Sequence, residues 1–368
     1  MADTHEPHPQ NAPGPSPRVT RREFANRVAV AGLIIIGLII LTLLLWYTID
    51  VFLVAFAGIL LAVLLRAMAD AVSFITRLPK GWSLLLGGIV LIVGSVVFLW
   101  TLTPRLVVQL EQLHETLPAA LEQLGQFIQR YEWGSIVYQE AKNIGGREDF
   151  RDAIPSLAAG AATALTATTT MIVGAVVAIF IGIFLAINPA IYVRGTVRLI
   201  PIASRPRAVE VLEATESSLR WWLIGRIIAM AFVGVVTAIT LWLLGVPLSL
   251  SLGVLAGVLD FIPNVGPIIA AVPALIIAFG ESPQTALYVL VAYFIIQEVE
   301  SYVVTPIVQK KVVSLPPAFT VFIQLLFVVL AGPLGLLLAT PLAAAGLVIT
   351  RGLYVQDVLG DEDIGLND

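Results

Sequence analysis

The sequence predicts an all-α, polytopic membrane protein with about six full transmembrane helices, two broken helical hairpins and an extracytoplasmic helical insertion. Hydrophobic residues make up 58% of the 368 residues and charged residues 12%, whereas soluble domains carry about 25% charged residues. Mean hydropathy is +0.94. Two apolar stretches, 249–280 and 318–350, are each interrupted by a proline and glycine break. A continuous helix of either length would run roughly 48 Å against a hydrocarbon core of about 30 Å, so each stretch is expected to form two half-helices.

The other segments follow in a simple order along the chain. Residues 1–27 are polar and proline-rich, which predicts a disordered tail and not a cleavable signal peptide. Continuous apolar runs then predict membrane helices in two blocks. The first block, 28–103, holds 28–49, 51–65 and 82–103; the second, 164–350, holds 165–187, 224–244, 284–304 and both broken stretches. Residues 104–163 separate the blocks, and a short polar tail, 351–368, follows the second.

Residues 104–163 form the one substantial region predicted to lie outside the membrane. Leucine and isoleucine recur at spacings of three and four from Leu106 to Ile128, which is a helical apolar stripe, and Pro118 kinks or divides it. The stripe suits an amphipathic helix against the bilayer or the membrane helices, or a seam between subunits. The second interpretation predicts a homo-oligomer. The charged stretch 194–220 predicts an amphipathic, solvated connecting helix.

The basic residues predict that both termini are cytoplasmic, because cytoplasmic loops retain an excess of arginine and lysine. Such residues cluster before the first predicted helix, between the second and third, and in 194–220. If each broken stretch enters and leaves on one face, Lys310 and Lys311 also lie inside. The first hairpin then opens outward and the second inward, with tips that meet near the midplane. Two full spans are the alternative, and they would move both lysines to the other face.

The first break contains the strongest candidate for a binding residue. Asp260 is the one aspartate within a predicted apolar span, and charges at membrane depth are costly and usually functional. A carboxylate beside free backbone carbonyls suits a cation or a proton, whereas free amides suit an anionic or hydroxyl-rich group. The alternative is that Asp260 only caps amides at the hairpin tip. The candidate binding residues at this break are Asp260, Pro263, Asn264, Gly266 and Pro267.

A second polar group ends the predicted helix 284–304. At about 100° per residue, Gln297 and Glu300 share one helix face. Glu298 shares another face with Tyr302 and Thr305, so at least one carboxylate is expected to face the protein interior. The alternative is an interfacial cluster that pairs with the two lysines that follow. The candidates here are Gln297, Glu298, Glu300, Thr305 and Pro306, and those at the second hairpin tip are Gly332, Pro333 and Gly335.

Three sequence blocks resemble the autoinducer-2 exporter family of bacterial permeases. They are DFIPNVGPIIAAVP from Asp260, QEVESYVVTPIVQKKVVSLPP from Gln297 and GPLGLLLATPLAA from Gly332. The resemblance implies a multi-pass protein of the bacterial cytoplasmic (inner) membrane that exports autoinducer-2 or, as in other members, exchanges sodium or lithium for protons. It also places two sets of residues on family motifs. The first set is Asp260, Pro263, Gly266 and Pro267, and the second is Gln297, Glu300 and Pro306.

Composition argues against the main enzyme classes. The chain has no cysteine and no P-loop sequence, its three histidines lie in segments predicted outside the membrane, and an aspartyl protease would need a second intramembrane aspartate. We therefore expect no enzymatic activity, no cofactor, no metal site and no nucleic-acid partner. The expected partners are the lipid bilayer, a second copy of the chain, and a small polar solute or a monovalent cation with a proton.

The residues and the resemblance together favour a secondary transporter, a permease or exporter of a small polar solute such as autoinducer-2, coupled to an ion gradient. A sodium(lithium)/proton antiporter is the first alternative, with Asp260 as the shared site. A channel or a membrane scaffold without transport activity is the second alternative. Sequence does not separate these functions, because a single buried carboxylate at a helix break serves each of the first two.

Overall fold

The computed structural model describes residues 49–94, 168–308 and 315–361, together with isolated positions within 30–48 and 96–100 and residue 365. The polar tail 1–27, the segment 104–163 with its Leu106–Ile128 stripe, and Lys310 and Lys311 lie outside the described residues. The chain divides into two units, Met1–Ile49 and Asp50–Asp368. In the first, the described positions from 30 to 47 are helical. The second contains the helices that follow.

The described residues are helical, with no strand among them. The helices are α1 (Ile49–Thr76), α2 (Lys80–Gly94), α3 (Thr168–Ile187), α4 (Pro189–Arg198), α5 (Arg205–Leu243), α6 (Ser249–Leu259), α7 (Val265–Glu281), α8 (Pro283–Val299), α9 (Thr305–Val308) and α10 (Pro317–Thr350). A 3₁₀ turn, Ile202–Ser204, precedes α5, and π-helical segments, Glu300–Val304 and Arg351–Gln356, follow α8 and α10.

Four helical segments of the described chain are long and apolar enough to cross a membrane. They are Ile49–Thr76, Ile202–Leu243, Pro283–Val308 and Pro317–Gln356. A fifth span results if α3 and α4, which meet at 91°, count as one. The predicted all-α, polytopic fold is therefore confirmed. The predicted solvated connector 194–220 is wrong in one respect, because its second half is continuous with the apolar half of α5 and the whole helix runs without interruption for 39 residues.

The first broken stretch doubles back on itself. Ala256 of α6 and Ala270 of α7 belong to one buried cluster, and a side chain at Gly266 would overlap the carbonyl group of Leu259. The two arms are 11 and 17 residues long, or about 16 and 26 Å at 1.5 Å per residue. Both are shorter than a hydrocarbon core of about 30 Å. Helices α6 and α7 thus form the hairpin that the length of this stretch predicts.

The second broken stretch, α10, is also a hairpin although its hydrogen bonding continues across the break. Ala331 and Gly332 leave the helical conformation, with Gly332 at φ +59° and ψ −144°. Gln324 and Thr340 touch at 3.4 Å across the arms, whereas 16 residues of straight helix would separate them by about 24 Å. A side chain at Gly335 would overlap the carbonyl oxygen of Phe327. The arms therefore turn back at Ala331 and Gly332.

Small residues let α5 and the first hairpin approach closely. A Cβ atom at Gly253 would lie 2.6 Å from the backbone nitrogen of Ala238, and one at Gly257 would lie 2.7 Å from the carbonyl oxygen of Met230. Glycines four residues apart on one face allow such backbone contact between membrane helices. Leucine, valine and alanine side chains of α5, α6, α7 and α8 complete the adjoining cores. This packing fixes the depth at which the hairpin tip meets α5.

Two ion pairs gather the charged ends of the helices at one end of this bundle. Arg220 of α5 pairs with Asp70 of α1 at 2.6 Å, and Arg207 pairs with Asp357 after α10 at 3.0 Å. Both arginines belong to the charged half of α5. The end of α1 and the residues after α10 therefore both contact the first half of α5.

Candidate functional site

Three buried charged side chains meet where α5, the tip of the first hairpin and the end of α8 converge. Arg226 pairs through Nη2 with Asp260 Oδ1 at 3.1 Å and through Nη1 with Glu300 Oε1 at 3.4 Å. The exposed fractions of the three residues are 3%, 0% and 4%. One guanidinium thus bridges carboxylates from two separate elements. We call Arg226, Asp260 and Glu300 the charged cluster.

The sequence of the first break explains why Asp260 stands at the hairpin tip. Asp260 follows the last residue of α6, and Pro263 lacks the N–H group that would continue a helix. Asn264 takes φ +65° and ψ −45°, which reverses the chain. Pro267 falls in the first turn of α7, where a backbone N–H has no helical partner and proline costs little. Gly266 then lets α7 return directly past the end of α6.

Asp260 does not act as a helix cap. Within the described residues, neither of its carboxylate oxygens makes a hydrogen bond, and the capping position of α7 is held by Asn264 without a side-chain bond. Its recorded partner is the Arg226 guanidinium. Hence the alternative in which Asp260 caps backbone amides at the tip is wrong, and its charge faces another charged side chain instead.

Glu300 is much better supplied with hydrogen bonds than Asp260. Its carboxylate accepts from Thr305 Oγ1 at 2.7 Å, from Gln297 Nε2 at 3.1 Å and from Ser301 Oγ at 3.3 Å. The two carboxylates of the charged cluster therefore differ: Glu300 is held by three neutral donors and Arg226, whereas Asp260 has the guanidinium alone among the described residues.

The π-helical segment Glu300–Val304 corrects the expected grouping around α8. Regular α-helical geometry puts Thr305 on the face of Glu298, yet the Thr305 hydroxyl bonds Glu300. A π-helix has more residues per turn than an α-helix, which moves residues five apart onto one face. Pro306, with no N–H group, removes a regular α-helical bond at this point. Glu298 is half-buried and Glu300 is buried, so Glu300 is the carboxylate that faces the interior.

Sequence reasoning did not identify Arg226 as a candidate site residue. It lies six residues beyond Arg220, about 9 Å further along α5, with apolar residues on both sides in the order WWLIGRIIAMAF. A lone arginine inside an apolar helix is the signal that marks it. One turn earlier, Trp222 packs edge-on against Phe261 at 5.7 Å between ring centroids. This aromatic pair lies between α5 and the tip next to Asp260.

The second hairpin reaches the first through a side chain of its arm. Gln324 of α10 donates from Nε2 to the carbonyl oxygen of Pro263 at 2.9 Å. Gly332, Pro333 and Gly335 shape the turn of α10, and no ion pair or side-chain hydrogen bond is recorded for them in the described chain. Of the predicted site residues, the structure brings together Asp260, Gln297, Glu300 and Thr305, and it gives Gly266 and Gly335 roles in backbone packing.

The charged cluster contains polar atoms that have no partner among the described residues. With all three groups ionised it carries a net charge of −1. Asp260 Oδ1 and Arg226 Nη2 face each other in the ion pair at 3.1 Å, whereas Asp260 Oδ2 and Arg226 Nε are buried without a partner within the described residues. Buried polar groups are normally bonded, so these last two atoms are available to a proton, a solute or a rearranged partner. No group of three or more His, Cys, Asp or Glu side chains that could hold a metal ion occurs in the described part of the chain.

Comparison with known proteins gives a match that covers most of the chain. The profile of a family described as AI-2E family transporter matches residues 32–354. "Putative transport protein YrrI" of Bacillus subtilis (strain 168) is 34% identical over 146 residues, which are 40% of this chain and 41% of that protein. "Putative transport protein YueF" of the same strain is 28% identical over 148 residues, 40% of each chain.

A third relative comes from another organism. A "Putative transport protein" of Thermotoga maritima (strain ATCC 43589 / DSM 3109 / JCM 10099 / NBRC 100826 / MSB8) is 26% identical over 156 residues, which are 41% of this chain and 46% of that protein. The chain thus spans less than half the length of each of the three curated relatives that it matches.

Proposed function

Because this chain belongs to the AI-2E family transporters, we propose that it is a secondary transporter that moves a small polar solute through the membrane in exchange for protons. Autoinducer-2 is the candidate solute, by the resemblance of the two hairpin blocks and the α8 block to exporters of that compound. The charged cluster is the observation that carries the proposal. Three ionisable groups buried in an apolar helical bundle are costly, and membrane proteins retain such groups for transport and proton transfer.

Asp260 is the proton-linked residue in this proposal. It is fully buried and held by Arg226 alone among the described residues, whereas Glu300 has three neutral donors. Loss of the guanidinium contact is therefore enough to leave Asp260 without a partner among the described residues, whereas Glu300 would keep three hydrogen bonds. Protonation of Asp260 leaves Arg226 paired with Glu300 only, which removes the ionic link between the hairpin tip and α5. Proton binding and hairpin position are then linked, as alternating access requires.

Sodium or lithium exchange for protons is the alternative, and the geometry favours it less. Arg226 already occupies the position between the two carboxylates at 3.1 and 3.4 Å. A monovalent cation would need to displace the guanidinium, since like charges at this distance repel strongly in a buried site. The cluster's formal charge of −1 also disfavours an anionic solute. A proton and a neutral or cationic polar solute suit the site better.

The topology belongs to the same proposal. We place both termini in the cytoplasm of a bacterial inner membrane, with Arg207, Arg220 and Asp357 inside and the turn at Glu281 outside. The bilayer is then a partner of the apolar outer surface, and the chain assembles with further copies of itself. The chain has no cysteine, so Glu281→Cys gives a background-free test. If an impermeant thiol reagent labels this variant only from the cytoplasmic side, the proposed orientation is wrong and the chain has the opposite orientation.

Reconstituted protein tests the function directly. Proteoliposomes with an internal pH dye are given autoinducer-2, sodium, lithium or potassium in turn, for the wild type and for Asp260→Asn. We expect solute-dependent proton movement in the wild type and its loss in Asp260→Asn, because an amide cannot exchange a proton. Asp70→Asn is the matched control, since Asp70 pairs with Arg220 on the exposed end of the bundle, and it should transport normally.

Three results would decide against the proposal or for its alternatives. Normal pH-dependent flux in Asp260→Asn at a matched amount of protein would remove Asp260 from the coupling role. Proton release driven by sodium or lithium without a solute would establish the antiporter alternative. Solute movement that ignores the pH gradient in the wild type would indicate a channel. Each outcome is read from the same vesicles.

A further inference from the structure

Gln324 is a buried polar residue on an otherwise apolar arm of the second hairpin. It is 1% exposed, and its Nε2 atom donates to the carbonyl oxygen of Pro263 at 2.9 Å and contacts Thr340 Oγ1 at 3.4 Å. The orientation of its amide is fixed by Pro263, because a carbonyl oxygen can only accept a hydrogen bond. The nitrogen must therefore face the first hairpin.

Packing alone does not explain an amide at this position. Burying an amide is unfavourable unless its hydrogen bonds are satisfied, and Gln324 Oε1 has no partner among the described residues. A leucine or methionine of similar volume would fill the same space without that cost. The arm from Ala318 to Leu330 otherwise contains one other polar side chain, Thr320, whose hydroxyl bonds its own helix at Pro316. Gln324 is the side chain of this arm that reaches across to another hairpin.

The acceptor of this bond lies in the break itself. Pro263 follows Asp260 by three residues, and its carbonyl oxygen also accepts from the backbone N–H of Val265 at 2.8 Å, which closes the turn. A contact on Pro263 therefore acts on the segment whose conformation sets the position of Asp260. The hydrogen bond from Gln324 joins that segment to the first arm of α10, and the same Gln324 nitrogen contacts Thr340 on the second arm.

We propose that Gln324 is a positioning residue that fastens the break of the first hairpin to the second hairpin, so that the tip carrying Asp260 and α10 move as one unit. Among the described residues, no hydrogen bond joins Gln324 to the charged cluster. Gln324 acts through Pro263. It keeps Asp260 close enough to Arg226 for the guanidinium to contact Asp260 and Glu300 at the same time. The structural part of this proposal stands without transport, and its consequence for flux rests on the proposed function.

Hydrogen exchange on the full-length protein tests the structural part. Gln324→Met keeps the volume and removes the donor, and Thr320→Val is the matched control, one turn away on the same arm with a bond confined to its own helix. We expect about tenfold faster exchange of the amides from Phe261 to Gly266 in Gln324→Met, as follows from losing one hydrogen bond, and no change in Thr320→Val. Equal exchange in Gln324→Met and the wild type would overturn the proposal.

A second variant separates positioning from simple packing. In Gln324→Glu, a protonated carboxyl group can donate to the Pro263 carbonyl, whereas an ionised carboxylate cannot. Acidic buffer should therefore restore slow exchange at 261–266 in Gln324→Glu but not in Gln324→Met. Flux relative to the wild type at the same pH should recover in parallel. If neither slow exchange nor flux recovers in acidic buffer, Gln324 only packs and the proposal is wrong. If slow exchange recovers but the wild type shows no flux, the proposed function is wrong and the contact between Gln324 and Pro263 stands.

Discussion

The two hairpins share a backbone design and differ in chemistry. Each has a proline and glycine break, and each has a glycine just past the break where a side chain would overlap a carbonyl of the opposite arm, at Gly266 and Gly335. The first break carries Asp260, which meets Arg226 and joins the charged cluster. The second break, from Ala331 to Gly335, has no ionisable residue. The two breaks therefore share a backbone form and differ in the side chains that their tips meet.

The neighbours of each tip account for this division. The first hairpin packs directly against α5 through Gly253 and Gly257, which brings its tip to the level of Arg226. The second hairpin offers a neutral amide, Gln324, and this amide bonds the first break. One hairpin thus carries the charge, and the other supports the segment that carries it. Substitutions in the charged cluster and at the glycines of the two breaks test the role of each hairpin separately.

The largest expected effect comes from removing the cation of the charged cluster. Arg226→Gln leaves Asp260 and Glu300 buried with no positive partner among the described residues, which should cost about 3–5 kcal/mol of stability and abolish transport. Unfolding in mild detergent and flux in proteoliposomes measure the two losses. Arg226→Lys keeps the charge but cannot bridge both carboxylates with separate nitrogens, so it should recover stability in part and flux very little.

Arg220→Gln is the matched control for this prediction. Arg220 lies on the same helix, and its pair with Asp70 is shorter, at 2.6 Å, yet the two side chains are 32% and 51% exposed. Exposed pairs contribute about 0–1 kcal/mol. If Arg226→Gln were no more damaging than Arg220→Gln, the first hairpin would hold no special charge chemistry and the contrast between the hairpins would disappear.

Much of this design follows from the sequence, and the reasons are physical. The length of each broken stretch and the positions of Pro263, Gly266, Gly332 and Pro333 predict two helical hairpins, because a helix of that length does not fit one crossing and these residues interrupt helices. The intramembrane aspartate predicts a candidate functional tip for a similar reason, since charged residues are rare in apolar membrane segments unless they have a role. These inferences need only local sequence and the thickness of a bilayer.

The rest of the site depends on contacts between distant segments. Arg226 stands close to other basic residues in sequence, and only the depth at which the first hairpin meets α5 reveals that its partner is Asp260. The bond between Thr305 and Glu300 requires a π-helical segment, which the regular 100° spacing does not anticipate. Gln324 resembles a stray polar residue in an apolar helix until α10 is seen to fold back beside Pro263. Tertiary structure decides all three.

The smaller expected effect tests the backbone design that the hairpins share. Gly266→Ala and Gly335→Ala each place a methyl group where a carbonyl of the opposite arm lies, so each should destabilise the protein by about 1–3 kcal/mol in detergent unfolding. Gly346→Ala is the control, because a Cβ atom there meets nothing within 4 Å, and alanine in a helix should instead increase stability by up to about 1 kcal/mol.

The two glycine variants should also differ in the pH dependence of flux. Gly266→Ala shifts the segment that holds Asp260, so proton coupling should fall together with stability. Gly335→Ala changes neither the charged cluster nor the first break directly, so the folded fraction should keep more of its pH dependence than Gly266→Ala does. Equal loss of pH dependence in both variants would show that the second hairpin shares the coupling role, and the division between them would fail.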